Sequence, residues 1–139
     1  MHLIPRTVLD RLEQLARAGY PEETCGLLVG RKEATTVRIE RATRAGNLSA
    51  ERRCDRYVLD PADFLAADEA ARRDGLDLLG VWHTHPDHPA IPSATDLAAA
   101  WEGFSYLILS VGPSGVAESR VWILDGSRFV EQPIEETEP

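Results

Sequence analysis

The segment His83-Thr84-His85-Pro86, followed by Ser93 and Asp96, places two imidazoles and a carboxylate at spacings that suit one metal ion. Side chains two residues apart on a β-strand point to the same side. If residues 78–85 run as a strand, His83 and His85 reach one point in space. Asp96 follows after a loop shaped by Pro86, Pro89 and Pro92. Three ligands of this kind leave one tetrahedral position open, the layout of a catalytic zinc site rather than of a closed structural one.

Each piece also has a plainer reading. A histidine pair at a strand end is often a surface or hydrogen-bonded pair. Ser-x-x-Asp before an alanine-rich run resembles a capping box, so Ser93 and Asp96 could serve only to start a helix. The two readings are compatible, since Ser93 could mark the helix start and still turn its hydroxyl towards the metal.

Taken together, His83-Thr84-His85-Pro86, then six residues, Ser93, two residues and Asp96 resemble the JAMM motif of the MPN (Mov34/PAD-1) metallopeptidases, in their compact prokaryotic form. That motif also requires a glutamate far upstream, beside a buried strand. The segment Pro21-Glu22-Glu23-Thr24-Cys25-Gly26-Leu27-Leu28-Val29-Gly30 supplies one. In the family the glutamate stands two residues before the position taken here by Cys25, which selects Glu23 over Glu22. The resemblance runs from about Tyr20 to Val111. It implies that His83, His85 and Asp96 bind one zinc ion, that Glu23 is the general acid/base for the attacking water, and that Ser93 helps stabilise the oxyanion. It also implies the fold: an α/β (α+β) architecture with a mixed, mostly antiparallel sheet flanked by helices, similar to that of cytidine deaminases.

The same resemblance implies the reaction. Compact bacterial members hydrolyse the amide bond after Gly-Gly at the C-terminus of small ubiquitin-like sulfur-carrier proteins. The alternatives are a non-catalytic binding module of the same fold and a deubiquitinase-like isopeptidase with another substrate. A zinc deaminase would need His-x-Glu and Pro-Cys-x-x-Cys, and neither occurs.

Those residues need elements to position them. Val8, Leu9, Leu12, Leu15 and Ala16 fall on one face at helical spacing, predicting a helix over about 5–18 that ends at Gly19 and Pro21. Residues 24–29 read as a buried strand, and 35–41, with Val37 and Ile39 inward, as its hairpin partner. A polar loop spans 44–56 and a short strand 57–59. Asp60 as N-cap and Pro61 as first helical residue open a helix to about Asp74, stopped by Gly75. Residues 78–82 are apolar apart from Gly80 and read as a central strand. A short helix over 94–101 and a strand over 104–111 follow. Asp125-Gly126 turns a hairpin between 116–124 and 128–132. Residues 1–134 are expected to form one domain, and 135–139 a disordered acidic tail.

Composition limits the partners. A chain of 139 residues, 43% hydrophobic and 27% charged, is ordinary for a globular domain. A formal charge of −8 argues against a nucleic-acid binder, which needs a basic face. No apolar run approaches a membrane span and no signal-peptide core is present, so a cytoplasmic location is expected. Cys25 reads as a buried small hydrophobe and Cys54, among charges, as exposed. Their spacing indicates neither a structural zinc nor a disulfide scaffold, and a bridge between them is disfavoured in a reducing cytosol. Trp82 alternates away from the ligand face and reads as core. His88 reads as a solvated loop histidine, and Trp101 fits either core or site.

Overall fold

The structure is a computed structural model that describes residues 1–49 and 57–138. Its elements are β1 (His2–Pro5), α1 (Arg6–Gly19), β2 (Cys25–Glu33), β3 (Thr36–Ala45), α2 (Pro61–Arg73), β4 (Asp77–Pro86), α3 (Ala94–Ala98), β5 (Ser105–Gly112), β6 (Gly115–Asp125), β7 (Arg128–Gln132) and β8 (Ile134–Thr137). The strands form one mixed sheet in the order β7-β6-β5-β4-β2-β3-β1-β8. β2 pairs antiparallel with both β3 and β4, and β5 with β6 in turn with β7. The parallel pairs are β4 with β5 and β1 with both β3 and β8. This is the mixed, mainly antiparallel sheet flanked by helices that the sequence predicts.

Alternation along β4 divides its side chains between two apolar layers. Trp82 turns to the α1 side, where it is fully buried with Leu12, Leu28, Leu107 and Val121. Its indole N–H donates to the Thr43 carbonyl at 2.8 Å. Gly26 permits this crossing, because a Cβ there would overlap the Thr43 carbonyl and the indole. Val81 turns the other way, towards Cys25, Leu27 and Tyr106 under α2. His83 and His85 follow on the Val81 side. No helix among the described residues is long and apolar enough to cross a membrane.

Three expectations need correction. The acidic run expected as a disordered tail over 135–139 is instead a strand through Thr137: Ile134–Thr137 is β8, in register with His2 to Pro5 of β1. The His2 N–H donates to the Pro133 carbonyl at 3.0 Å, and Arg6 stands 3.3 Å from Glu136, so the ladder and an opposite charge hold the acidic strand. Residues 57–59 form no strand but a single bridge, Asn47 to Leu59. The Asn47 side-chain oxygen accepts from Val58 N–H at 2.9 Å and from Ser49 N–H at 3.0 Å, taking the place of a ladder. The third helix ends at Ala98, and Trp101 N–H donates to the Tyr106 hydroxyl at 2.7 Å rather than extending the helix. Cys54 lies outside the described residues, so its exposure and pairing stand as expectations.

β7 and β8 are separated only by Pro133, yet stand at opposite ends of the sheet order. The sheet must therefore curl until its two ends meet. A side-chain bond records the same closure. His2 Nε2 lies 2.6 Å from Ser105 Oγ, although β3, β2 and β4 intervene in the sheet order.

Burial, with the N-terminal ammonium and Lys32, pushes the His2 imidazole down to about 4, against about 6.5 in an unfolded chain. Folding therefore excludes a proton that the unfolded chain binds between these values. The stability is complete above about pH 6.5 and is lost as pH falls towards 4. His2→Gln removes that titration. Thermal melts of both proteins from pH 7 to pH 4 should show the wild-type advantage shrinking across this window; a constant difference would contradict the assignment.

Candidate metal centre

Three segments converge at the C-terminal end of β4. Glu23 lies just before β2, the histidines at the end of β4, and Ser93 and Asp96 at the start of α3. Thr24 and Thr84 lock the first two together. Thr24 N–H donates to Thr84 Oγ1 at 2.8 Å, and Thr84 N–H to the Thr24 carbonyl at 2.9 Å. Asn47 Nδ2 also donates to the Glu23 carbonyl at 3.2 Å. The two adjacent glutamates separate by burial: Glu23 is 6% exposed, whereas Glu22 faces solvent.

His83 Nε2 and His85 Nε2 are 3.2 Å apart. Asp96 Oδ1 lies 3.3 Å from His83 Nε2, and Oδ2 3.1 Å from His85 Nε2. Ligand atoms of a tetrahedral ion with bonds of about 2.0–2.1 Å stand about 3.3 Å apart by geometry. The donor set therefore fits a metal ion. Glu23 belongs to a looser group, its carboxylate and the two imidazole nitrogens lying within 4.8 Å of one another. The closer contacts single out Asp96, rather than Glu23, as the third member of the tight cluster.

Hydrogen bonding decides which electron pairs point inward. His85 Nδ1 is 2.9 Å from the Pro89 carbonyl. A carbonyl only accepts, so Nδ1 holds a proton, and Nε2, facing Asp96, is the nitrogen that shares a proton with the carboxylate or gives it up to bind a cation. His83 stacks on Tyr57, ring centroids 4.5 Å apart, and is buried. Burial pushes the His83 imidazole down. For His85 burial acts the same way, but the bonds to Asp96 and Pro89 outweigh it and raise the group. Burial would lift the Asp96 carboxyl, yet its bonds to His83 and His85 hold it well below the usual carboxylate range. The cluster thus keeps its carboxylate charged.

The capping box read from the sequence is present. Ser93 Oγ accepts from Asp96 N–H at 3.0 Å, and Ser93 N–H donates to Asp96 Oδ2 at 2.9 Å. These bonds use an oxygen lone pair and the backbone of Ser93, leaving its O–H as a donor. Capping and a site role coexist, and the cap also orients Asp96.

Two cavities flank the cluster, and Glu23 and Ser93 line both. The larger, about 470 Å³, is walled by Tyr57, Phe64, Phe104 and Tyr106, with Trp101 at its edge, 62% exposed. Trp101 thus belongs to the site rather than the core. The smaller, about 280 Å³, contains His85, His88 and Ile91. His88 faces solvent there and stands outside the donor cluster. Tyr57 and Asn47 were not legible as site residues. Their partners, His83 and Glu23, are distant in sequence, and periodicity carries no signal for such contacts.

The model of prokaryotic homologs of the JAB domain matches residues 5–124. A desampylase of Haloferax volcanii is 35% identical over 130 residues, 93% of this chain and 90% of its own length. A probable TtuB-protein conjugate cleaving protease of Thermus thermophilus is 34% identical over 113 residues, 81% of this chain and 71% of its own. Among solved structures, a protein from Desulfitobacterium hafniense superposes with a TM-score of 0.89 at 30% identity, covering 100% of this chain and 94% of the other. A JAB1/MPN domain protein from Archaeoglobus fulgidus gives 0.61 at 18% identity, covering 99% and 98%, a likeness of fold alone.

Proposed function

The chain belongs to the prokaryotic JAB-domain family, compact members of the JAMM/MPN group, and from that premise we propose that it is a zinc-dependent isopeptidase. Its substrate in this reading is a small ubiquitin-like sulfur-carrier protein, hydrolysed at the amide bond after the carrier's C-terminal Gly-Gly. The observation that carries the reading is the tight cluster of His83, His85 and Asp96 beside a buried Glu23. The names of two relatives, desampylase and conjugate cleaving protease, support the substrate class. We place its action in the cytoplasm, where a reducing environment would keep the buried Cys25 a thiol.

In this reading His83, His85 and Asp96 hold the zinc. When bound, zinc supplies Lewis-acid charge, which lowers the pKa of a water from ~15.7 towards ~7 and polarises the scissile carbonyl. Glu23 accepts the proton of the attacking water and delivers it to the leaving amine, so the carboxylate is regenerated within the cycle. The Ser93 hydroxyl donates to the oxyanion, a contact worth roughly 3 kcal/mol in the barrier. Pro89 orients His85, and Thr24, Thr84 and Asn47 keep Glu23 against the cluster. Glycines at the cut site suit such a centre, because a tail without side chains passes close to it. A carrier tail in extended form has main-chain groups for strand addition.

Removing any one of the three ligands leaves a two-ligand remnant that holds zinc poorly. The wild type should carry one equivalent of zinc by elemental analysis, and His83→Ala, His85→Ala and Asp96→Ala should each lose most of it. Glu23→Gln should keep its zinc and lose nearly all turnover, and Glu22→Gln should match the wild type. Exchange of behaviour between the two glutamate variants would move the proton-transfer role to Glu22.

For the substrate, the zinc-loaded chain should cleave small carriers extended past Gly-Gly, mass spectrometry showing products that end in Gly-Gly. Linked di-ubiquitin should react weakly or not at all. Efficient cleavage of di-ubiquitin with carriers intact would overturn the substrate class. No hydrolysis of either would favour a binding module with idle chemistry.

A further inference from the structure

Residues 87–93 connect β4 to α3 and carry Pro89, whose carbonyl accepts from His85 Nδ1. The same peptide unit has a second polar end. Ala90 N–H, across the Pro89–Ala90 bond, donates to Glu118 Oε1 at 2.9 Å. Ala90 is fully buried, and its own carbonyl accepts from Trp122 Nε1 at 3.1 Å. Ser110 Oγ donates to the His88 carbonyl at 2.6 Å. Strands β5 and β6 therefore fix this loop independently of anything bound at the cluster.

Glu118 is the charged member of the set. Oε2 stands 3.2 Å from Arg120, while Oε1 faces the peptide. The Ala90 N–H, and then Arg120, hold its carboxyl below the usual range, so it is an anion at neutral pH. A peptide that donates to an anion carries more negative charge on its carbonyl oxygen. Hydrogen bonds in series strengthen one another by roughly 10–30% each. A stronger acceptor at His85 Nδ1–H fixes the ring and makes Nε2 a better electron-pair donor. Carboxylates bonded directly to a ligand histidine act this way. Here one peptide stands between.

We infer that Glu118 is a positioning residue for His85, acting through the Pro89–Ala90 peptide to orient the imidazole and strengthen its hold on the metal. The inference rests on the reading of His85 as a ligand.

Competition with a chelator measures Zn²⁺ affinity of the full chain without reference to activity. Glu118→Ala should weaken binding about tenfold, the lower end of losses for such partners. Glu118→Gln keeps an acceptor for Ala90 N–H without the charge and should fall between. It should also melt with the wild type when metal-free, which separates the effect from folding. In a His85→Ala background, Glu118→Ala should change nothing further. Wild-type affinity in both Glu118 variants would overturn the inference while leaving the ligand assignment intact. An equal loss with His85 absent would overturn it too, by showing general loop disruption. Unchanged zinc binding in His85→Ala alone would overturn both the inference and the ligand reading.

Discussion

Three electron-pair donors aimed at one point repel one another unless a proton or a metal cation stands among them. His83 Nε2, His85 Nε2 and the Asp96 carboxylate meet at 3.1–3.3 Å, and much of the fold exists to keep them there. β4 brings the two histidines to one face. The capping box of α3 turns Asp96 onto them, and the Pro89 carbonyl sets the proton of His85 on the far nitrogen. Burial makes the arrangement more demanding, because a low-dielectric site leaves charge poorly solvated unless it is paired. A bound cation relieves the repulsion and supplies the pairing.

Position in the sheet explains why the centre lies where it does. β4 and β5 run parallel, so the chain must leave β4, cross over and return. The crossover carries the proline loop, Ser93 and Asp96. Its departure point is the carboxyl end of β4, where His83 and His85 emerge. On the other side β2 runs antiparallel to β4 and begins opposite His83, which sets Glu23 beside the cluster. The curled sheet supports this from behind. The bond of His2 to Ser105 and the β1–β8 ladder close its far edges, away from the chemistry.

The site was more legible in the sequence than the frame that closes it. Spacing of two along a strand and of three at a helix start is local, so His83, His85, Ser93 and Asp96 are readable without coordinates. The choice of Glu23 over Glu22 came from the family pattern, and burial separates the two in the same sense. Alternation likewise gave Trp82 to the core. What stayed hidden depends on contacts between distant segments. β1 and β8 are four residues each, too short for a periodic signal, and they form only by pairing with each other and with β3. An acidic C-terminal run reads as a tail until a ladder and Arg6 are there to receive it. Asn47, Tyr57 and Glu118 have the same status: each matters through a partner far along the chain.

The central claim is that His83, His85 and Asp96 form the inner sphere and that Glu23 stands outside it. A crystal structure of the zinc-loaded chain, with the metal located by its anomalous scattering, tests this most directly. The account predicts one ion within about 2.0–2.2 Å of both Nε2 atoms and of one Asp96 oxygen, with the Glu23 carboxylate beyond bonding distance and facing the open position. An ion bonded to Glu23, His83 and His85, with Asp96 serving only as a helix cap, would contradict it.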